Sequence, residues 1–210
     1  MKALQKIGVG PGDRVGTLAW NTYRHVEAWY GISGMGAITH TINPRLFAEQ
    51  IAYIVNHAEN NYIFTDTTFV PLLEGLQDQL DTVRGFIVLT DEAHMPETSL
   101  RGAICYEALI ADHDDDYEWP RFDERLAAAM CYTSGTTGNP KGVLYSNRSC
   151  VLHALMCASG DAIGAGSETS IMPVVPMFHA NGWGIPHLAP MVGAKMVLPG
   201  PHMDGASIYE

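Results

Sequence analysis

The stretch Tyr132-Thr133-Ser134-Gly135-Thr136-Thr137-Gly138-Asn139-Pro140-Lys141-Gly142-Val143 gathers four aliphatic hydroxyls, three glycines and one lysine. Gly135, Gly138 and Gly142 permit left-handed backbone angles and close approach of the main chain, so successive N–H groups can form an anion-binding nest. The hydroxyls of Thr133, Ser134, Thr136 and Thr137 can donate to phosphate oxygens or ligate magnesium, and Lys141 adds a point charge. These are the groups a triphosphate needs. The competing reading is a Ser/Thr/Gly-rich turn without a ligand, which leaves the lysine and the density of hydroxyls without a purpose.

The spacing excludes the P-loop, in which Lys and Ser/Thr directly follow the second glycine and lead into a helix. Here Pro140 precedes Lys141, and Gly142-Val143-Leu144-Tyr145 is a short apolar and aromatic run with the character of a strand. The loop is therefore expected to join two strands. Further on, Pro176-Met177-Phe178-His179 and Trp183 place an imidazole and an indole four residues apart. Each has a plain reading as a core residue and a functional one as part of a cleft.

Thr133 to Gly142 resembles the phosphate-loop signature of the AMP-forming adenylate ligases, a family of acyl-CoA synthetases, firefly-type luciferases and peptide-synthetase adenylation domains. Val174-Val175-Pro176-Met177-Phe178-His179-Ala180-Asn181-Gly182-Trp183 is similar to that family's acyl-pocket motif. With Gly8 to Val15 and Asn43-Pro44-Arg45-Leu46-Phe47, the pattern looks most like the bacterial medium- and long-chain fatty-acyl-CoA synthetases. The resemblance covers nearly the whole chain. It implies a fold of mostly parallel sheets flanked by helices, part of the large N-terminal domain of such enzymes. It also implies a two-step reaction: a carboxylate attacks the α-phosphate of ATP to give an acyl-adenylate and pyrophosphate, and the thiol of CoA then displaces AMP.

Residue by residue, the resemblance makes Thr133, Lys141 and His179 the candidate catalytic positions, with Thr133 the magnesium ligand. Ser134, Gly135, Thr136, Thr137, Gly138 and Lys141 match phosphate-binding positions. His179 falls beside the acyl carboxylate, Ala180 near the pantetheine path of CoA and Trp183 at the aromatic gate of the acyl tunnel. ATP, Mg2+ and CoA are the implied small molecules. The acid is expected to be fatty, with a short-chain, aromatic, sulfur-containing or amino acid as the rival. Family members continue into a Tyr-Gly-x-Thr-Glu segment, a ribose-binding aspartate, a hinge and a small domain with a catalytic lysine, none of which occurs here. The 210-residue chain alone is thus expected to be inactive, a fragment of the N-terminal domain or a non-catalytic nucleotide-binding remnant. In some bacterial relatives this domain carries a homodimer contact, so the resemblance implies a homodimer for the parent protein.

The elements that must position these groups follow from apolar periodicity. Strands are expected at Val15 to Trp20, Ala37 to Ile42, Tyr62 to Thr65 and Phe86 to Leu89. Helical spacing marks Val26, Trp29, Tyr30 and Ser33, then Ile51, Ile54, Val55 and Ala58, then Leu72, Leu73, Leu76 and Leu80. Strands alternating with helices predict a mostly parallel sheet wound right-handed. Gly31, Gly34 and Gly36 are expected to let the first helix pack tightly on that sheet, and Asn43 to cap the second helix. Residues 91–125 lose the rhythm and read as a connector between a first sheet region, 1–125, and a second part, 126–210. Its acidic core, Asp112-His113-Asp114-Asp115-Asp116-Tyr117-Glu118, reads as solvated rather than metal-binding, because it lacks the glycine turn and alternation of a calcium loop. Beyond it, Ala127 to Tyr132 is a buried strand, Val151, Leu152, Leu155 and Ala158 mark a helix, and Ser170 to Phe178 a strand carrying Pro173 and Pro176, with a helix start near Asn181. Ala194 to Leu198 closes as a strand, and Asp204 caps a last helix.

A formal net charge of −11 and a pI near 5.1 exclude the basic face that nucleic acid requires. The four cysteines show no metal-ligand spacing and fit reduced thiols. The N-terminus lacks a signal-peptide core, and no run approaches the roughly 18 apolar residues of a membrane span, so a cytoplasmic location is expected.

Overall fold

A computed structural model describes residues 1–133 and 139–209. Seven strands, β1 (Arg14–Leu18), β2 (Ile38–Thr41), β3 (Asn60–Thr65), β4 (Gly85–Val88), β5 (Ala103–Cys105), β6 (Ala127–Thr133) and β7 (Lys141–Ser146), form one sheet in the order β5-β4-β3-β1-β2-β6-β7. Neighbours from β5 to β6 run parallel, and β7 turns back antiparallel on β6. Alternate side chains feed opposite faces: Ile63, Leu18 and Phe86 enter one core, and Phe64, Val15 and Ile87 the other. A parallel sheet must be covered on both sides. Helices α3 (Ala48–His57) and α4 (Val70–Leu76) cover the first face through Ile51, Ile54, Val55, Leu73 and Leu76; α1 (Lys2–Lys6), α2 (Tyr23–Ser33) and α5 (Tyr106–Ala111) cover the second through Leu4, Ala28, Ile32 and Tyr106.

Beyond β7 lie α6 (Asn147–Ala158), α7 (Ile185–Val192), α8 (Gly205–Tyr209) and a small parallel pair, β8 (Ser170–Ile171) with β9 (Lys195–Met196). Ser146 caps α6 by accepting the Ser149 N–H, and Asp204 caps α8 as expected, accepting from Ala206 and Ser207.

Several expectations need correction. Residues 91–125 are more than a connector, since β5 is the sheet's edge strand and leads directly into α5. The predicted strand from Ser170 to Phe178 shrinks to Ser170–Ile171, because Pro173 and Pro176 lack the N–H that a ladder requires. Asn43 accepts the Arg45 N–H in a turn; α3 starts later, where the Gln50 side chain accepts the Phe47 N–H. Gly34 does not admit the sheet. A Cβ there would clash with the Trp119 ring, so this glycine receives the end of the acidic connector. Finally, no right-handed helix starts at Asn181, whose φ is 53°.

Candidate active site

Strand β6 carries Ala128, Ala129, Met130 and Cys131 into the core and ends with exposed Thr133. Its pairing with β7 sets Thr133 directly opposite Lys141, so the hydroxyl and the ammonium flank the two ends of the loop on one side of the hairpin. Ser134, Gly135, Thr136, Thr137 and Gly138, the remaining phosphate-loop candidates, lie outside the described residues. Gly142 serves a different purpose from the one its sequence context implied. It is a strand residue without a left-handed angle, and a Cβ on it would stand 3.2 Å from the Tyr132 ring.

Tyr132 is fixed from behind. Its hydroxyl lies 2.7 Å from His57 Nδ1, and its ring packs at 5.1 Å on His40. Burial pushes the phenol up to about 12, so it is neutral near pH 7. His40 is fully buried with Nδ1 2.7 Å from Asn60 Oδ1, and burial holds it down to about 4, which keeps the ring neutral.

His179 is exposed at a cavity of about 240 Å³ formed at the carboxyl ends of β2 and β6. Thr41, Asn43, Tyr132, Thr133, Tyr145, Phe178 and Ala180 share its wall. Phe178 is held edge-on to Trp20 at 6.0 Å, and the exposed Arg45 guanidinium lies 5.8 Å from the Phe178 ring. After His179 the backbone turns left-handed for five consecutive residues, with φ of 45° at Ala180, 53° at Asn181, 60° at Gly182, 55° at Trp183 and 71° at Gly184. Such angles cost about 1–2 kcal/mol at each non-glycine residue, so the surroundings must impose them. Thr41 Oγ1 donates to Asn181 Oδ1 at 3.0 Å, and the Tyr30 hydroxyl donates to the Pro186 carbonyl at 2.7 Å.

This turn separates the first cavity from a second of about 440 Å³, lined by Trp183, Cys150, His153, Asn181 and His187. Trp183 is 63 % exposed, which excludes a core role within the described residues. His153 fits there because residue 184 has no side chain; a Cβ on Gly184 would stand 2.6 Å from its Nδ1. Burial, with His153 nearby, lowers the pKa of His187. Tyr145 and Ala180 belong to both walls. The structure thus brings Thr133, His179 and Ala180 to one cavity and Ala180 and Trp183 to the adjoining one. Thr41, Tyr145, His153 and His187 are additions that the sequence alone does not single out. Nothing in a lone threonine on an apolar run, or in two histidines on separate helices, reveals a shared wall.

The AMP-binding enzyme family model matches residues 2–209. The chain belongs to this family. It is 51% identical over 206 residues to a medium-chain-fatty-acid–CoA ligase of Ectopseudomonas oleovorans, covering 98% of this chain and 38% of the relative. It is 50% identical, again over 98% of this chain and 38% of the relative, to a 3-methylmercaptopropionyl-CoA ligase of Ruegeria lacuscaerulensis. The fold superposes with a TM-score of 0.80 on the anthranilate CoA ligase AuaEII solved with anthranoyl-AMP, at 23% identity over 94% of this chain and 37% of that one. The chain therefore spans well under half the length of these three relatives. Among its described residues no helix is long and apolar enough to cross a membrane.

Proposed function

We propose that the chain is the ATP- and carboxylate-facing part of an AMP-forming fatty-acid:CoA ligase, and that turnover belongs to the whole protein. The observation that carries this reading is the single cavity walled by Thr133, at the mouth of the phosphate hairpin, and by His179. Adenylation is a problem of charge management. As the carboxylate oxygen bonds to the α-phosphorus, the bond to pyrophosphate breaks and negative charge collects on the departing oxygens. Lys141 and the loop N–H groups stabilise that charge. His179 hydrogen-bonds the attacking carboxylate, and Trp183 closes over the acyl group in the second cavity. Small Ala180, between the two cavities, leaves room for the pantetheine arm of CoA in the second step.

Magnesium enters with ATP as part of the substrate. Thr133 offers one neutral oxygen, and no cluster of three or more His, Cys, Asp or Glu side chains among the described residues is placed to cage an ion. That donor set fits a cation held mainly by phosphates and water, with one or two protein ligands. When bound, the ion supplies charge neutralisation on the phosphates.

The test is acid-dependent ATP–pyrophosphate exchange by the complete protein across a panel of fatty acids. Exchange that rises with an aliphatic acid is the expected result, and none with any acid would overturn the reading. The second reading is a sulfur-containing short acid, favoured by the 50% identity to a 3-methylmercaptopropionyl-CoA ligase. A methylthio acid in the same panel decides between them.

A further inference from the structure

Asn21 follows β1 and is fully buried, 0 % exposed. Its side-chain amide reaches across more than 150 residues of sequence to the irregular segment that ends at His179. Nδ2 donates to the Pro173 carbonyl at 2.8 Å and to the Val175 carbonyl at 3.1 Å, while Oδ1 accepts the Met177 N–H at 2.7 Å. Both amide hydrogens and the amide oxygen are thereby used. The segment needs such a partner: its prolines prevent a strand ladder, and buried backbone groups left unpaired are costly. Asn21 takes the place of a neighbouring strand. Its own carbonyl also accepts the Gly200 N–H at 3.0 Å, tying in the chain beyond β9.

The held segment is short and stiff. Met177 is buried against Trp29 and Ala129, Phe178 lies against Trp20, and the His179 N–H bonds back to the Pro176 carbonyl at 3.0 Å. His179 therefore leaves the Asn21 clamp two residues after the last bond and enters the left-handed turn directly. From this geometry we infer that Asn21 is a positioning residue: it fixes the direction in which the His179 imidazole enters the first cavity, and it acts on adenylation only through His179. The inference rests on the proposal that His179 meets the carboxylate.

The test is a double-substitution cycle in the complete ligase, with the two half-reactions measured separately. Asn21→Asp keeps the acceptor for Met177 and sets an oxygen against the two carbonyls; Asn21→Ser keeps a single donor and serves should the first variant fold poorly. Expected is a fall in kcat of acid-dependent exchange of about 100-fold, the scale of a misplacement near 1 Å. The KM for ATP should stay unchanged, as should thioester formation from supplied acyl-adenylate and CoA. Combined with His179→Ala, the Asn21 change should add almost nothing further, because both remove the same contribution. Lowering the pH should partly restore Asn21→Asp, whose protonated carboxyl regains one donor. If His179→Ala slows exchange and the Asn21 effect is fully additive to it, or falls equally on both half-reactions, Asn21 is merely structural and the inference is overturned. If His179→Ala leaves exchange at the wild-type rate, the reading of His179 fails first, and the inference with it.

Discussion

Leu73 and Leu155 both belong to apolar helical stripes, yet Leu73 is fully buried under the sheet and Leu155 on α6 is 55 % exposed. Val151, Leu152 and Met156 share the exposure of Leu155. The β1–β5 side closes its principal core with sixteen buried apolar residues, whereas the core between α6 and α7 has four. The first region is held by volume and the second by a few directed bonds, from Asn21, Tyr30 and Thr41. Periodicity in a sequence locates an apolar face but does not say what covers it.

The largest effect expected from this contrast is on stability. Phe86→Ala, in the first core, should lower the free energy of unfolding by about 3–5 kcal/mol in urea titrations, while Leu155→Ala should stay within about 0.5 kcal/mol. Equal losses would break the comparison. Next, under the proposed function, Lys141→Ala or Thr133→Ala in the complete protein should slow pyrophosphate exchange by about 100- to 1,000-fold, without a comparable shift in melting temperature. Unchanged exchange rates would remove both residues from the site.

Acid should act mainly on the first region. His25 and His40 are fully buried, and burial lowers each from 6.5 to about 4. The unfolded chain then binds more protons between those values, so their stabilisation is complete above pH 6.5 and is lost as the pH falls toward 4, by about 3 kcal/mol for each ring. Asp66 runs the other way. Burial raises it from 3.8 to about 6, so its contribution is present below 3.8 and is lost as the pH rises through 6, partly offsetting the histidines. Urea midpoints measured from about pH 7 to about pH 4.5 should fall less steeply in His40→Asn and more steeply in Asp66→Asn. A His40→Asn slope matching the wild type would contradict the assignment.

Smaller changes sharpen the second region. Gly142→Ala should cost about 1–3 kcal/mol by crowding Tyr132 against His57. Trp183→Gly should raise the melting temperature slightly, worth up to about 1 kcal/mol, by relieving a left-handed angle at an exposed position. A clear loss of stability there would show that the indole packs more tightly than its exposure implies.

The strand–loop–strand arrangement around Thr133 and Lys141 is legible in the sequence because a buried apolar run, a hydroxyl- and glycine-rich break and a second apolar run follow directly. The alternation of Val15, Ile63, Phe64 and Phe86 likewise carries its own register. Edge strand β5 is not legible, because three residues are too few to show a period. Ser170 to Phe178 invites too long a strand, since its apolar residues announce burial while its two prolines decide the bonding. The Asn21 clamp is invisible because its partners are main-chain atoms more than 150 residues away, which side-chain types do not reveal.

Tyr145 stands in the walls of both cavities. A smaller residue there would widen the two together, so a change that reshapes one cavity at this position also reshapes the other. Substitutions at His153, His187 or Trp183, each of which borders only the second cavity, would instead reshape that cavity alone.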